Sequence, residues 1–334
     1  MINLAPTEDL QGVLQELTHP QVRDLAWVIG SPKLLDQLPL ESLPASWAKD
    51  FESALCIVEL SPREALKEAI PHLRSLELNP VPLLNSLERS AQVFTRVRLG
   101  VYYEHLVYYW LNHIIQVDEL LRELQVYSDP AKNDSKGRRT LGALDMIARL
   151  SKAQLNTLCR PHLTQSESSS SLHLELASKF YLQVPSDESH EPLDGMPQPL
   201  FTWIGPNERD SFGGKLHRLY THQLSLSKTP EAISALRSRG YHINLRSLWL
   251  KGRLFFHLSA LSSPDSLEPL KNNSGRGLPA LWCRQGELDQ LFNLYQKLTS
   301  ASVSEVRASL RPKPQWLAPP TLAELRGTPP HTQA

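Results

Sequence analysis

The chain is short of cysteine, of net charge and of any long apolar run. Its three cysteines, Cys56, Cys159 and Cys283, lie far apart and form no CxxC pair, which speaks against a disulfide framework and a zinc knuckle. They read as small buried hydrophobes in a reducing compartment. In 334 residues, 35 Lys+Arg balance 35 Asp+Glu. That neutrality argues against a polybasic, histone-like binder but leaves room for a local basic cleft, because phosphate affinity depends on where the charges sit. A membrane-spanning helix needs roughly 20 mostly apolar residues. The most apolar helix candidate, Val101 to Ile115, is interrupted by Glu104, His105, Asn112 and His113, so it reads as a core helix. The opening MINLAPTEDL has no basic segment followed by an apolar one, so no signal peptide is expected. Together these absences make the cytoplasm the expected location, with no membrane partner. P-loop, GxSxG, HExxH and dinucleotide-binding fingerprints are missing too, so no motif supports an enzyme of those classes.

What is present is 41% hydrophobic residues, ample for a packed core. Residues 1–95 read as a helical N-terminal region. Leu10, Val13, Leu14 and Leu17 recur at helical spacing, and Ser31-Pro32 reads as a helix start. Pro39, Pro44, Pro62, Pro71, Pro80 and Pro82 cut the region into short helices. One helical pattern then runs from Gly100 to Leu124. Leu124 to Tyr127 reads as a short strand, SDPAKNDSKGRR as a hairpin loop and Thr140 to Leu150 as a second strand. Thr164 to Ser171 is a serine-rich loop. Leu172 to Val184 is a third strand whose alternation puts His173, Glu175, Ala177 and Lys179 on one face. A helix over about Lys215 to Leu226, a strand or hairpin over Leu248 to Leu258 and a helix over about Glu287 to Leu298 follow. The tail after Leu325 reads as disordered.

Three acids stand at informative points in this order. Glu104 lies on the long helix, Asp145 sits between Leu144 and Met146 in the second strand, and Glu175 sits in the third. A carboxylate flanked by apolar residues in a buried strand is costly unless it is paired or holds a metal. Hard oxygen ligands of this kind suit Mg²⁺. Asn207, Arg209, Asp210, Lys215, Arg218 and Gln223 cluster around the next helix. Lys215, Arg218 and His222 share one face by spacing, in reach of a phosphate backbone. Plainer readings stand beside these. Glu104 would pair with Arg98 or Arg139, His173 would be a satisfied strand-edge histidine, and Lys179 a snorkelling surface residue. Arg23 and Asp24 would form a helix-surface or interdomain salt bridge.

The pattern resembles the PD-(D/E)XK phosphodiesterases. Gly100-Val-Tyr-Tyr-Glu104, Gly142-Ala-Leu-Asp145-Met-Ile147 and Glu175-Leu-Ala177 stand where those enzymes carry a helical glutamate, a Gly-Glu-x-Asp-Leu-Ile strand and a Glu-x-Lys strand. Ala143 replaces a glutamate and Ala177 replaces the lysine. Lys179 is on the same face, but four residues of strand span about 13 Å against about 7 Å for the usual spacing. The whole chain also resembles a bacterial family known as domain of unknown function 1853. The motifs that carry this are His19-Pro20-Gln-Val-Arg23-Asp24-Leu-Ala-Trp27, Arg98-Leu-Gly100-Val-Tyr-Tyr-Glu104, His173-Leu-Glu175-Leu-Ala-Ser-Lys179, Gly205-Pro-Asn207-Glu-Arg209-Asp210 and Trp316-Leu-Ala-Pro319.

The resemblance implies an α/β fold with a restriction-endonuclease-like mixed sheet flanked by helices over residues 96–325, a tail over 326–334 and a bacterial, cytoplasmic setting. It implies that Asp145, Glu175 and Glu104 hold Mg²⁺ with Lys179 as the site lysine, and that Asn207, Arg209, Lys215, Arg218 and Gln223 meet a DNA or RNA substrate. Two functions stay open: a metal-dependent nuclease, and a degenerate nuclease-like fold that binds nucleic acid or protein.

Overall fold

Runs of apolar residues too long for a half-exposed strand must be covered on both faces, and that is how the two central strands are used. They are β3 (Ser169–Gln183) and β5 (Ile243–His257), which lie parallel with Leu174 opposite Ser247 and Leu182 opposite Phe255. The computed structural model describes residues 10–38, 57–90, 98–128, 139–159, 169–193, 196–261, 280–291, 293 and 316–319. Strands β1 (Glu119–Tyr127) and β2 (Thr140–Ser151) form an antiparallel ribbon, and β2 pairs antiparallel with β3. Short β4 (Trp203–Ile204) pairs with the far end of β3, and β6 (Ala280–Trp282) adds parallel to β5. The mixed sheet therefore runs β1-β2-β3-β5-β6, with β4 off this path.

Helices cover both faces. On one lie α1 (Leu10–Glu16), α2 (Pro20–Gly30), α3 (Pro62–Leu78), α4 (Val81–Ser90) and α5 (Leu99–Tyr109). Leu25, Leu73 and Leu106 share one core with Met146, Leu174 and Trp249 of the sheet, so the N-terminal helices are packed on it directly. Trp110 stacks on Trp249 at 5.1 Å between ring centroids. The Tyr103 hydroxyl donates to the Trp249 carbonyl at 2.6 Å. Short α6 (Lys152–Leu158) follows β2. On the opposite face, α7 (Phe212–Arg218) runs on through a π-helical turn at Leu219–Gln223 to Leu224–Leu226, and α8 (Pro230–Arg237) follows. Leu216, Leu219 and Leu224 pack there against Ala177, Leu248 and Leu250. Among the described residues, no helix is long and apolar enough to cross a membrane.

Several expectations are corrected by tertiary contacts that local pattern does not carry. Ser31 ends a helix rather than starting one: its N–H donates to the Trp27 carbonyl at 2.9 Å, while Pro20 fills the first-turn position of α2. Pro71 lies inside α3 without dividing it. Arg23 and Asp24 are buried rather than on a helix surface. Arg23 donates to the carbonyls of Leu14, Leu17 and Pro319, and Asp24 accepts from the Tyr102 hydroxyl and the Ala318 amide. They tie the Trp316–Pro319 segment to the N-terminal helices.

The pattern read as helix to Leu124 breaks much earlier. Trp110–Ile115 is π-helical, Gln116 takes a left-handed φ of 56°, and β1 begins at Glu119. The Gln154 side chain donates to the carbonyls of Ile115 and Gln116, satisfying helix-end acceptors from a distant element. Ser169–Ser171 belong to β3, not to a loop, because the Asn244 side chain accepts from the Ser171 amide at 2.9 Å. Leu248 to Leu258, read as a strand or hairpin, lies mostly within one long strand. Leu288 to Leu291 are helical. The rest of that expected helix, most of the hairpin loop and the tail lie outside the described residues.

Gly252 has φ +147°, and a Cβ there would run into the backbone carbonyl of Lys179 on the paired strand. Gly252→Ala is expected to cost on the order of 3 kcal/mol, from strain plus displacement of the ladder. Urea denaturation measures it, and a cost below about 0.5 kcal/mol, the usual effect of a harmless surface change, contradicts this geometry.

Candidate functional site

β2 and β3 do not stay paired. Their register runs from Ser151 opposite Ser169 to Met146 opposite Leu174 and goes no further. Past that point the Asp145 carboxylate takes the place of backbone, accepting from the Leu176 amide at 2.9 Å. The β1–β2 register skips the pair that would join Glu123 to Asp145. Glu123 takes a left-handed φ of 49° in mid-strand, a conformation that costs a non-glycine residue about 1–2 kcal/mol. The result is a fork in the sheet with Asp145 in its crotch.

Carboxylates converge on this fork from three elements. Glu175, fully buried, comes from the face of β3 toward α7. Glu104 comes from α5, which lies against the other face. Burial pushes Glu104 up to about 7, with the charges of Asp145, Glu123 and Glu175 adding to the rise and Arg122 opposing it. Asp145 is also raised to about 7, first by burial and then by Glu175, against the pull of the Leu176 amide. Glu175 is raised to about 7 by burial, while contacts with Asp145, Lys215 and Gln223 hold it down. Lys215 is the cation beside them: burial lowers its pKa, Lys179 lowers it further, and Glu175 and Asp145 support its charge.

Glu175 is held from two sides. Gln223 Nε2 donates to Oε2 at 2.9 Å, and Lys215 Nζ in turn donates to Gln223 Oε1 at 2.9 Å. Lys215 and Gln223 meet across the π turn of α7, where the widened helix lets both side chains face the fork. On the other side, His173 Nε2 lies 2.8 Å from Glu175 Oε1, and His173 Nδ1 lies 3.1 Å from Ser227 Oγ. Arg246 Nε donates to the same Ser227 oxygen at 2.8 Å. Burial and Arg246 hold His173 far below its usual range, at about 3. The imidazole is therefore neutral, with one ring nitrogen donating and the other accepting between Glu175 and Ser227, and the Ser227 hydroxyl also meets the Leu224 carbonyl at 3.2 Å.

The fork thus brings together Glu104, Asp145, Glu175, Lys215 and Gln223. Arg218 is exposed but close enough to act on Lys215. Lys179 pairs with Asp210 at 2.7 Å, so its reach back to Glu175 is spent on another partner. Asn207 and Arg209 lie on an exposed turn closed by the Gly205 amide on the Asp210 carbonyl, with Asn207 Oδ1 accepting from the Arg209 amide. Sequence reasoning missed Glu123, Ser227 and Arg246. Glu123 was hidden because its segment reads as helix, and nothing in the sequence marks Ser227.

The donor set is all hard oxygen, with Glu175 buried and Glu104 and Asp145 partly buried beside Lys215, and in chemistry it fits a cation such as Mg²⁺. Among the described residues, no group of three or more His, Cys, Asp or Glu is spaced to enclose an ion as the side chains stand.

All three raised carboxyls have folded pKa values above their unfolded ones. Between about pH 4 and pH 7 the native state therefore binds more protons than the unfolded chain, so stability falls as pH rises through that window. Asp145→Asn removes a charge and keeps an oxygen for the Leu176 amide. We expect it to be more stable than wild type at pH 8 by on the order of 2 kcal/mol and no more stable at pH 4. Parallel pH profiles in urea denaturation contradict this. Glu123→Gly should raise stability by about 1 kcal/mol by relieving the left-handed strain, read as a higher unfolding midpoint, and a lower midpoint contradicts it.

The model of a family described as a domain of unknown function (DUF1853) matches residues 23–333. No curated protein and no solved structure matches the chain. With nearly its whole length matched, the chain belongs to the DUF1853 family.

Proposed function

We propose that the protein is a metal-dependent phosphodiesterase acting on DNA or RNA, built on a PD-(D/E)XK-like core and working in the bacterial cytoplasm. The observation that carries this is the fork itself, where Glu104, Asp145 and Glu175 face one another across parted strands beside Lys215. Carboxylates raised together in this way are a common mark of functional sites. The order of helix, antiparallel β1-β2-β3 and acids on the helix, second strand and third strand also agrees with the motif resemblance.

Asp145 and Glu175, with Glu104 at their side, would hold Mg²⁺. A bound Mg²⁺ supplies charge neutralisation at the phosphate and a more acidic water. The chain's own groups do the rest. Lys215 brings a cation to the place left empty by Ala177, and its bond to Gln223 fixes its distance from Glu175. It orients the attacking water or the phosphate oxygen. Exposed Arg218 next to Lys215 offers a phosphate contact outside the fork.

One observation favours a second reading, a nuclease-like fold that binds without cutting. Both oxygens of Glu175 already have hydrogen-bond partners, and Ala143 and Ala177 remove two polar groups.

Incubation with single- and double-stranded DNA and RNA, with Mg²⁺, Mn²⁺ or EDTA, separates the two. The nuclease reading expects metal-dependent cleavage that falls by about 100-fold or more in Lys215→Ala, and a metal-induced rise in unfolding midpoint that Asp145→Asn abolishes. No cleavage and no metal-induced rise in the wild type overturn it and leave the binding module.

A further inference from the structure

A cavity of about 380 Å³ opens between α8 and the start of β5. It has the size of a small-molecule site. At its base lie the buried side chains of Arg246, 4% exposed, and Ser227, 2% exposed. At its rim stand Lys228, Arg237 and His242, all exposed, and Tyr241 forms part of the wall. Among the described residues no aspartate or glutamate lines it. The charged side chains among the described lining are thus cationic, in a chain with equal numbers of acidic and basic residues.

We propose that this cavity binds the phosphate group of a phosphomonoester, either a free nucleotide or the terminal phosphate of a nucleic acid. A guanidinium at the base suits the planar oxygens of phosphate, the Ser227 hydroxyl adds a polar contact, and the rim cations attract the anion. The cavity has more room than a bare phosphate needs, which leaves space for an organic group. A rim of exposed cations above a buried one is the arrangement expected of an entrance rather than of a solvated helix face.

The cavity also touches the fork. Arg246 Nε donates to Ser227, Ser227 meets His173, and His173 meets Glu175. The phosphate site does not depend on a metal at Asp145, so its fate and that of the nuclease reading are separable.

Calorimetry in EDTA tests it, with inorganic phosphate, a nucleoside, its 5′-monophosphate, and an oligonucleotide with and without a 5′-phosphate. The variants are Lys228→Glu and Arg237→Glu, exposed rim positions where folding is not at stake, and Asp145→Asn. Wild type and Asp145→Asn should bind the monophosphate equally, and either rim variant should weaken it about tenfold or more. Binding of the 5′-phosphorylated oligonucleotide but not its unphosphorylated form identifies a nucleic-acid end. Binding of the mononucleotide alone identifies a free nucleotide. Equal binding of nucleoside and monophosphate, an undiminished affinity in both rim variants, or no binding of any phosphate compound in the wild type overturns the proposal. Loss of metal-dependent cleavage with phosphate binding intact would sink the nuclease reading only.

Discussion

Where β2 parts from β3, the amide of Leu176 would be a buried donor facing no strand. Leaving it unmade would cost about 1–3 kcal/mol. Asp145 Oδ2 supplies the acceptor at 2.9 Å, and much of the site follows from that substitution of side chain for backbone. A carboxylate is committed to the inside of the sheet, its pKa is raised by burial and by Glu175, and in the neighbouring strand Glu123 sits in a left-handed conformation. A fully paired β2 would bury the edge that Asp145 now opens.

The surrounding elements keep that fork from collapsing. Tyr103 and Trp110 anchor α5 to Trp249 of the central strand, which fixes the height at which Glu104 meets Asp145. On the other face α7 carries Lys215 and Gln223 to Glu175 across a π turn. His173, neutral and fully buried, fills the space behind Glu175 and links it to Ser227 and Arg246. Acidic groups thus gather at the fork and basic ones at the neighbouring cavity, with one imidazole between them. The chain's overall neutrality conceals this separation.

Much of the sheet was legible in the sequence. The alternation from His173 to Lys179 put Glu175 on the face where it is found, and apolar flanks singled out Asp145 as a costly acid. Lys215 and Gln223 were legible only as members of a polar cluster, because their meeting depends on a π turn that helical spacing does not foresee. Lys179 shares a strand face with Glu175 by alternation, yet Asp210 holds it. The end of α5 was misjudged because Gln154, far along the chain, caps it, and Ser169–Ser171 because Asn244 completes their ladder. In each case a long-range side-chain hydrogen bond overrode local propensity, and such bonds leave no periodic trace.

The account rests on carboxyls held near neutrality by burial and by one another. Carbon-detected NMR titration of side-chain carboxyls, in wild type and Asp145→Asn, measures this directly. The account predicts that the Glu104, Asp145 and Glu175 carboxyls titrate near pH 7 in the wild type, and that Glu104 moves downward once Asp145→Asn removes the neighbouring charge. Titration of every carboxyl in the ordinary range near pH 4, unchanged by the substitution, would contradict it.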